Sequence, residues 1–219
     1  MLVEKIRSYW KYLRFKYSRA KEHLIRKKMR KNLKNLDFTI ISNNCWGGGV
    51  YEQLGLSYTT PTVGLFFFTP CYIKFISNLQ ANLAYELKFI DHSKYNKANQ
   101  LRLENKYPIG LINNEIEIHF LHYKTQSEAF DKWTRRKERV NFKNLFFSFT
   151  DNESYTIEEL KTFDELPYRK VFFSSKNIAG IDSLVWLKKF NDQGKIGDIY
   201  TYPDNYRKYF NVLKWLNKS

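Results

Sequence analysis

The chain has 219 residues, 43% of them hydrophobic and 18% aromatic, a globular composition long enough to bury a core and unlike that of a disordered or fibrous protein. Two cysteines, Cys45 and Cys71, exclude a disulfide framework, and no run approaches the ~18 apolar residues of a membrane span. The formal charge is +15, yet thirteen Lys or Arg against Glu4 and Glu22 place +11 of it in residues 1–36, so the basic character belongs to one segment and does not mark a nucleic-acid-binding domain.

In that segment Ile6, Trp10, Leu13, Tyr17, Ala20 and Leu24 recur at spacings of four and three, which predicts a long amphipathic helix with cationic flanks. Such a helix can dock on its own domain, pair with a second copy in a homodimer, or lie on an anionic membrane surface; nucleic acid ranks below these. Residues 1–36 are thus expected to form a separate basic helix, and residues 37–219 a single α/β domain. The first residues lack an apolar signal core, and the thiols are expected to stay reduced. The expected location is cytoplasmic, peripheral at the inner face of the membrane if the helix meets lipid.

Residues 38–41 predict a strand that runs into Ser42, Asn43, Asn44, Cys45, Trp46 and three glycines. Open α/β sheets build ligand crevices in this way, at the carboxyl ends of strands. Gly47, Gly48 and Gly49 would let backbone N–H groups approach a ligand, and a helix starting near Val50 would add its positive end. Residues 63–68 predict a buried strand, Pro70 opens a helical pattern that continues to about Phe89, and a short helix falls over residues 97–104. Strands over residues 109–112 and 115–123 predict a hairpin about Asn113 and Asn114, with Ile116, Ile118, Phe120 and His122 on one face. Ser127 would cap a helix carrying Arg135, Arg136, Lys137 and Arg139 in its last turns. Further along come strands over 145–149, 171–173 and 198–202 and helices over 157–163, 182–190 and 206–216.

This alternation predicts an α/β protein, a three-layer α/β/α sandwich with a mixed, mostly parallel sheet, preceded by the long basic helix. Crossover rules gather Ser42 to Gly49, Thr69 to Cys71, Asp151, Ser174 and Ser175 along one sheet edge; His122 joins them only if its strand runs parallel to the first.

The segment from Ile40 through Cys45 and Trp46 to Gly48, then Tyr51, Leu54-Gly-Leu, Pro61-Thr-Val-Gly-Leu-Phe, Tyr72-Ile-Lys-Phe, His119-Phe-Leu-His-Tyr and Lys132-Trp-Thr-Arg-Arg, resembles a bacterial family of unknown function. Its members are labelled exopolysaccharide biosynthesis proteins and occur among capsule and surface-polysaccharide genes. The resemblance covers about residues 37 to 175 and implies an α/β fold and a biosynthetic context, without supplying a reaction.

The candidate catalytic residues are Cys45, His122 and Asp151. The candidate ligand-binding residues are Ser42, Asn43, Asn44, Trp46, Gly47, Gly48, Arg135 and Arg136. Cys45 at a strand end could be a nucleophile with His122 as its base and the Trp46 and Gly47 N–H groups as an oxyanion hole; free cysteine is equally a common core residue. Lys132, Arg135, Arg136 and Arg139 sit at helical spacing and could face a diphosphate, or could be a solvated helix end. His119 and His122 point to opposite faces of a strand, so no metal site is expected. No Gly-x-Gly-x-x-Gly, P-loop or Asp-x-Asp clamp occurs, which leaves the cofactor unassigned. Three readings stand: a transferase acting on a phosphorylated sugar donor in surface-polysaccharide assembly, a Cys-dependent acyltransferase or hydrolase, and a non-catalytic saccharide- or partner-binding protein tethered to the membrane. The first is preferred, with a small-molecule or saccharide substrate as partner.

Overall fold

A computed structural model describes residues 2–218. Its helix α1 (Leu2–Asn32) leads to strand β1 (Thr39–Ser42), helix α2 (Trp46–Leu54), helices α3 (Thr69–Ser77) and α4 (Leu79–Ala84), strand β2 (Lys88–Ile90) and helix α5 (Asn96–Glu104). The hairpin β3 (Ile109–Ile112) and β4 (Ile116–His119) follows, then α6 (Gln126–Lys137), β5 (Leu145–Thr150), α7 (Ile157–Asp164), β6 (Arg169–Ser174), β7 (Leu184–Trp186), a 3-10 helix (Lys188–Gln193), α8 (Asp204–Arg207) and α9 (Val212–Asn217).

The described residues form two sheets. One is four-stranded and parallel, in the order β1-β5-β6-β7; the other is antiparallel, in the order β2-β3-β4. Side chains alternate across the parallel sheet, as the two-residue period of a strand requires. Ile41, Phe147, Phe149 and Phe172 pack on one face with α3, α4, α7 and the antiparallel sheet. Ile40, Phe146, Val171 and Phe173 pack on the other with α2, α8, α9 and the end of α1. The α/β/α layering expected from the sequence is therefore present, with the hairpin in a sheet of its own.

β1 lies at the sheet edge, and side chains satisfy its outer backbone groups, as an unpaired edge demands. Tyr51 and Thr62 hydroxyls accept from Ile40 and Ser42 N–H (both 3.1 Å). Gly55 ends α2 in the left-handed region (φ +66°), where a side chain would be strained and would also strike Arg30 of α1.

Several expected elements differ. Residues 63–68 form no strand: Phe66 exchanges both backbone hydrogen bonds with His119, while Phe67 N–H donates to Asn43 O (2.9 Å), so this extended segment stitches the end of β4 to the end of β1. The predicted strand over 115–123 stops at His119, where Leu121 N–H turns back to the His119 carbonyl (3.0 Å). The pattern from Pro70 to Phe89 breaks at Asn78 and gives α3, α4 and β2. Thr125, not Ser127, caps α6, accepting from Glu128 N–H (3.1 Å). Residues 182–187 are not a helix, and 188–190 open the 3-10 helix: Leu184–Trp186 pair with β6, and the strand-favouring Val185 and Trp186 win once that neighbour is beside them. Residues 198–202 are a loop.

Among the described residues, helix α1 docks through its C-terminal half. Arg207 forms a fork on Glu22 (2.6 and 2.9 Å), Lys21 meets Asp204 (3.3 Å), and Met29 and Leu33 join the second core. Of the apolar stripe, for which the sequence leaves docking on the domain, pairing with a second copy and a membrane surface all open, Trp10, Tyr17 and Leu24 are 59, 74 and 65% exposed and Leu13 is partly buried. The side chain of Ile6, also in that stripe, lies outside the described residues.

Candidate functional site

After β1 the chain must satisfy a cluster of small polar side chains, and it does so mostly internally. Ser42 Oγ lies 2.6 Å from Ser148 Oγ and accepts from Gly47 N–H (3.3 Å). Asn43 extends the ladder, donating to Thr150 O (3.1 Å) and accepting from Thr150 N–H (3.2 Å). Asn44 accepts from Trp46 N–H (3.0 Å) and donates to Asn152 Oδ1 (2.6 Å). The expected oxyanion donors, Trp46 and Gly47 N–H, are thus already committed within the turn.

The glycines serve close packing. A Cβ on Gly47 would sit 3.0 Å from Ser42 Cβ and 3.1 Å from Ile40 Cγ2; one on Gly49 would meet the Tyr200 ring at 2.6 Å. A Cβ on Gly48 would rest on Val63 at 3.4 Å. The bare Gly47 lets α2 settle on β1, and the Trp46 indole packs among Phe173, Tyr206 and Trp215.

Above this floor lies a crevice of about 390 Å³ lined by Asn44, Cys45, Phe66, His122, Asn152, Asp198 and Tyr200, among others. His122 arrives from the turn after β4, its N–H donating to Gly64 O (3.1 Å). Gly64 adopts φ +70°, and a Cβ there would crowd His122 and Tyr123. A parallel strand is therefore not what brings His122 to the sheet edge.

Asp198 belongs to a loop that Asp151 positions. Asp151 is 3% exposed. Its Oδ2 accepts from Ser174 Oγ (3.0 Å), Ser175 N–H (2.8 Å) and Ser175 Oγ (2.9 Å), and its Oδ1 from Ile196 N–H (2.7 Å). Burial pushes its pKa up, against those hydrogen bonds from Ser175, Ile196 and Ser174 that pull it down. With its oxygens so occupied, Asp151 clamps the strand ends to the loop. Asn152 reinforces the clamp by donating to Ile196 O (3.2 Å). Asp198 uses Oδ1 to accept from Tyr200 and Thr201 N–H (2.9 and 2.7 Å), while Oδ2 takes no hydrogen bond from the described residues.

Burial pushes the Cys45 thiol up to about 11, helped by the carboxylates of Glu52 and Asp198, so the group is a neutral thiol near pH 7. That environment is the opposite of an activated nucleophile's.

The cations of α6 do not form one ligand face. Arg136 is buried, its Nη1 2.6 Å from Tyr123 Oη and its guanidinium 5.0 Å over the Tyr58 ring. Arg135 is exposed, Lys132 pairs with Glu128 (2.6 Å), and none of these lines the crevice. A second cavity, about 670 Å³, adjoins the crevice at Asn152; it has Asp151 at its base and Ser154, Tyr155, Lys97, Lys176 and Lys195 around it. Lys97 pairs with Glu153, whereas Lys176 and Lys195 have no acidic partner among the described residues.

The structure brings together Asn44, Cys45, Trp46 and His122 of the sequence candidates, and leaves Ser42, Asn43, Gly47, Gly48 and Asp151 beneath them as support. Sequence reasoning missed Asn152, Asp198, Tyr200, Lys176 and Lys195. Lys176 could have been found, since it follows the Ser174–Ser175 pair at the end of β6. Among the described residues no group of three or more His, Cys, Asp or Glu gathers as a metal site.

A protein of Haemophilus influenzae strain Rd, named only "Uncharacterized protein", is 30% identical over 207 residues, spanning 92% of this chain and 95% of the relative. Residues 16–217, from the middle of α1 to α9, match the family described as "Domain of unknown function (DUF1919)", and the chain belongs to that family.

Proposed function

We propose that the protein is a transferase acting on a phosphorylated sugar donor in bacterial surface-polysaccharide assembly. One observation carries the reading: a crevice of hydroxyl-binding groups adjoins, through Asn152, a cavity with two lysines that have no acidic partner among the described residues. Asn44, Asn152 and Asp198 offer amide and carboxylate groups suited to sugar hydroxyls, and the Phe66 and Tyr200 rings offer an apolar face. Lys176 and Lys195 then take the place that the sequence reading gave to Arg135 and Arg136, attracting the donor phosphate and stabilising its charge as it leaves. His122 is the group to accept a proton. In the step proposed, an acceptor oxygen bonds to the sugar carbon as the bond from that carbon to the phosphate oxygen breaks. The electron pair departs on the phosphate, and the acceptor proton passes to His122. The polysaccharide context rests on the sequence resemblance described above.

Melting-temperature measurements against nucleotide-sugars, nucleoside diphosphates, acyl-CoA and neutral oligosaccharides test the reading. A ligand at about a hundred times its Kd adds about 2.7 kcal/mol, a rise of roughly 5–10 °C for a chain of this size. Nucleotide-sugars should give such a rise, and the Lys176→Ala/Lys195→Ala variant should lose it. A response to acyl-CoA or neutral saccharide alone, or to no phosphorylated donor at all, overturns the proposal.

A further inference from the structure

We infer that the outward face of α1 is a binding surface for an anionic lipid bilayer. Trp10, Tyr17 and Leu24 recur every seven residues, which at 100° per residue keeps them within about 40° of one line along the helix over roughly 21 Å. All three are exposed, and Tyr9, roughly 60–100° around the helix from them, is 60% exposed. Of the groups that fasten α1 to the domain, Glu22 and Met29 lie about 140–160° around the helix from Leu24, and Lys21, whose long side chain reaches Asp204, about 60°. The aromatic line therefore points away from the domain, and docking leaves it free.

Charge selects the occupant. Exposed Lys28 and Lys31 lie on the line or within about 20° of it, and exposed Arg7, Lys16 and Lys27 flank it at roughly 60–80°. The segment carries +11, and Glu22, one of its two acids, is already held by Arg207 and Arg26. A second copy of α1 laid on this face would bring lysines onto lysines with almost no carboxylate to relieve them. A bilayer surface with anionic headgroups accepts both features, with Trp and Tyr at the headgroup level and lysine stems reaching outward to phosphates. No described helix is long and apolar enough to cross a membrane, so the contact is peripheral. The family match begins at residue 16, so Tyr9, Trp10 and Tyr12 precede the family's common region. The inference does not depend on the reaction proposed above.

Sedimentation of the full chain with vesicles of mixed phosphatidylglycerol and phosphatidylcholine, and of phosphatidylcholine alone, tests it. The protein should bind the mixed vesicles, with binding that weakens as salt rises, and should stay in solution with the neutral ones. Replacing Trp10, Tyr17 and Leu24 together by serine, and separately Lys27, Lys28 and Lys31 by glutamate, should each weaken binding on the order of ten-fold or more at an unchanged melting temperature. Equal binding to neutral vesicles, no binding, or a serine variant that binds like the wild type overturns the inference. So does lipid-free self-association that the serine variant abolishes, since the face then belongs to a second copy.

Discussion

Asp151 and Asp198 both stand at the carboxyl edge of the parallel sheet, and their surroundings assign them different work. Asp151 is buried and accepts four hydrogen bonds from β6, the residue after it, and the Ile196 loop. Asp198, held in place by that loop, is exposed on the crevice wall with Oδ2 open. The contrast repeats in the amides: Asn43 is spent on the Thr150 backbone, while Asn44 and Asn152 reach the crevice. Residue type and proximity to a strand end are therefore poor guides to chemistry here. What separates support from site is whether a side chain has hydrogen-bonding capacity left after the fold has used it.

The sharpest way to break this contrast is Asp151→Ala. It orphans two buried hydroxyls and two buried N–H groups, and unfolding in urea should show a loss of about 3 kcal/mol or more, with ligand response lost only through unfolding. Asp151→Asn, which keeps one acceptor oxygen, should lose less. If Asp151→Ala instead kept wild-type stability and abolished only turnover, Asp151 would belong on the site side of the comparison.

Gly47→Ala comes next. Its Cβ would press on Ser42 and Ile40 in the tight contact between α2 and β1, and overpacking of this kind should cost about 1–3 kcal/mol in the same urea experiment. Gly49→Ala presses on the ring of Tyr200, which is 40% exposed and is held by its hydroxyl's hydrogen bonds to the surface carboxylate of Glu52 (3.2 and 3.1 Å). It should cost less than Gly47→Ala; the reverse order would mean that Tyr200 is a fixed wall of the crevice.

How much of this was legible follows the same physics. The turn after β1, the Asn113–Asn114 hairpin with both residues at φ 51°, and the helices at 96–104 and 157–164 were readable because each is decided by neighbours in sequence; the structure adds a capping box of Thr156 and Glu159 to the last. Leu184–Trp186 was misread because three residues become a strand only beside β6. Asp198 carried no local signal at all, since its position depends on a carboxylate 47 residues earlier and a backbone N–H at Ile196. His122 was picked for the wrong reason: strand alternation suggested it, whereas Gly64 and the turn after His119 deliver it.

Rim variants should leave the fold nearly untouched. His122→Gln and Asp198→Asn, the latter keeping the acceptor for Tyr200 and Thr201, should each shift unfolding by about 0.5 kcal/mol or less. Under the proposed transferase reading, they should still reduce turnover by about 100-fold for His122, the scale of general-base catalysis. A large stability loss from either would move it beneath the crevice with Asp151.

Cys45 yields the smallest expected effect on the fold and the cleanest on mechanism. It lines the crevice, as a nucleophile would, yet burial together with Glu52 and Asp198 holds its pKa at about 11 against an ordinary 9.0. At pH 8 its thiolate should then be on the order of a hundred-fold scarcer than that of an unperturbed cysteine, and alkylation by iodoacetamide correspondingly slow. The rate should climb about ten-fold per pH unit until pH approaches about 11. Because the folded chain keeps this proton longer than the unfolded one, stability should fall as pH rises from about 9 to about 11, and Cys45→Ser should remove that part of the fall. Near pH 7 the serine variant should keep its ligand-induced stabilisation. Rapid alkylation at pH 7 with loss of turnover would place a thiolate in the crevice and put the cysteine enzyme ahead of the transferase.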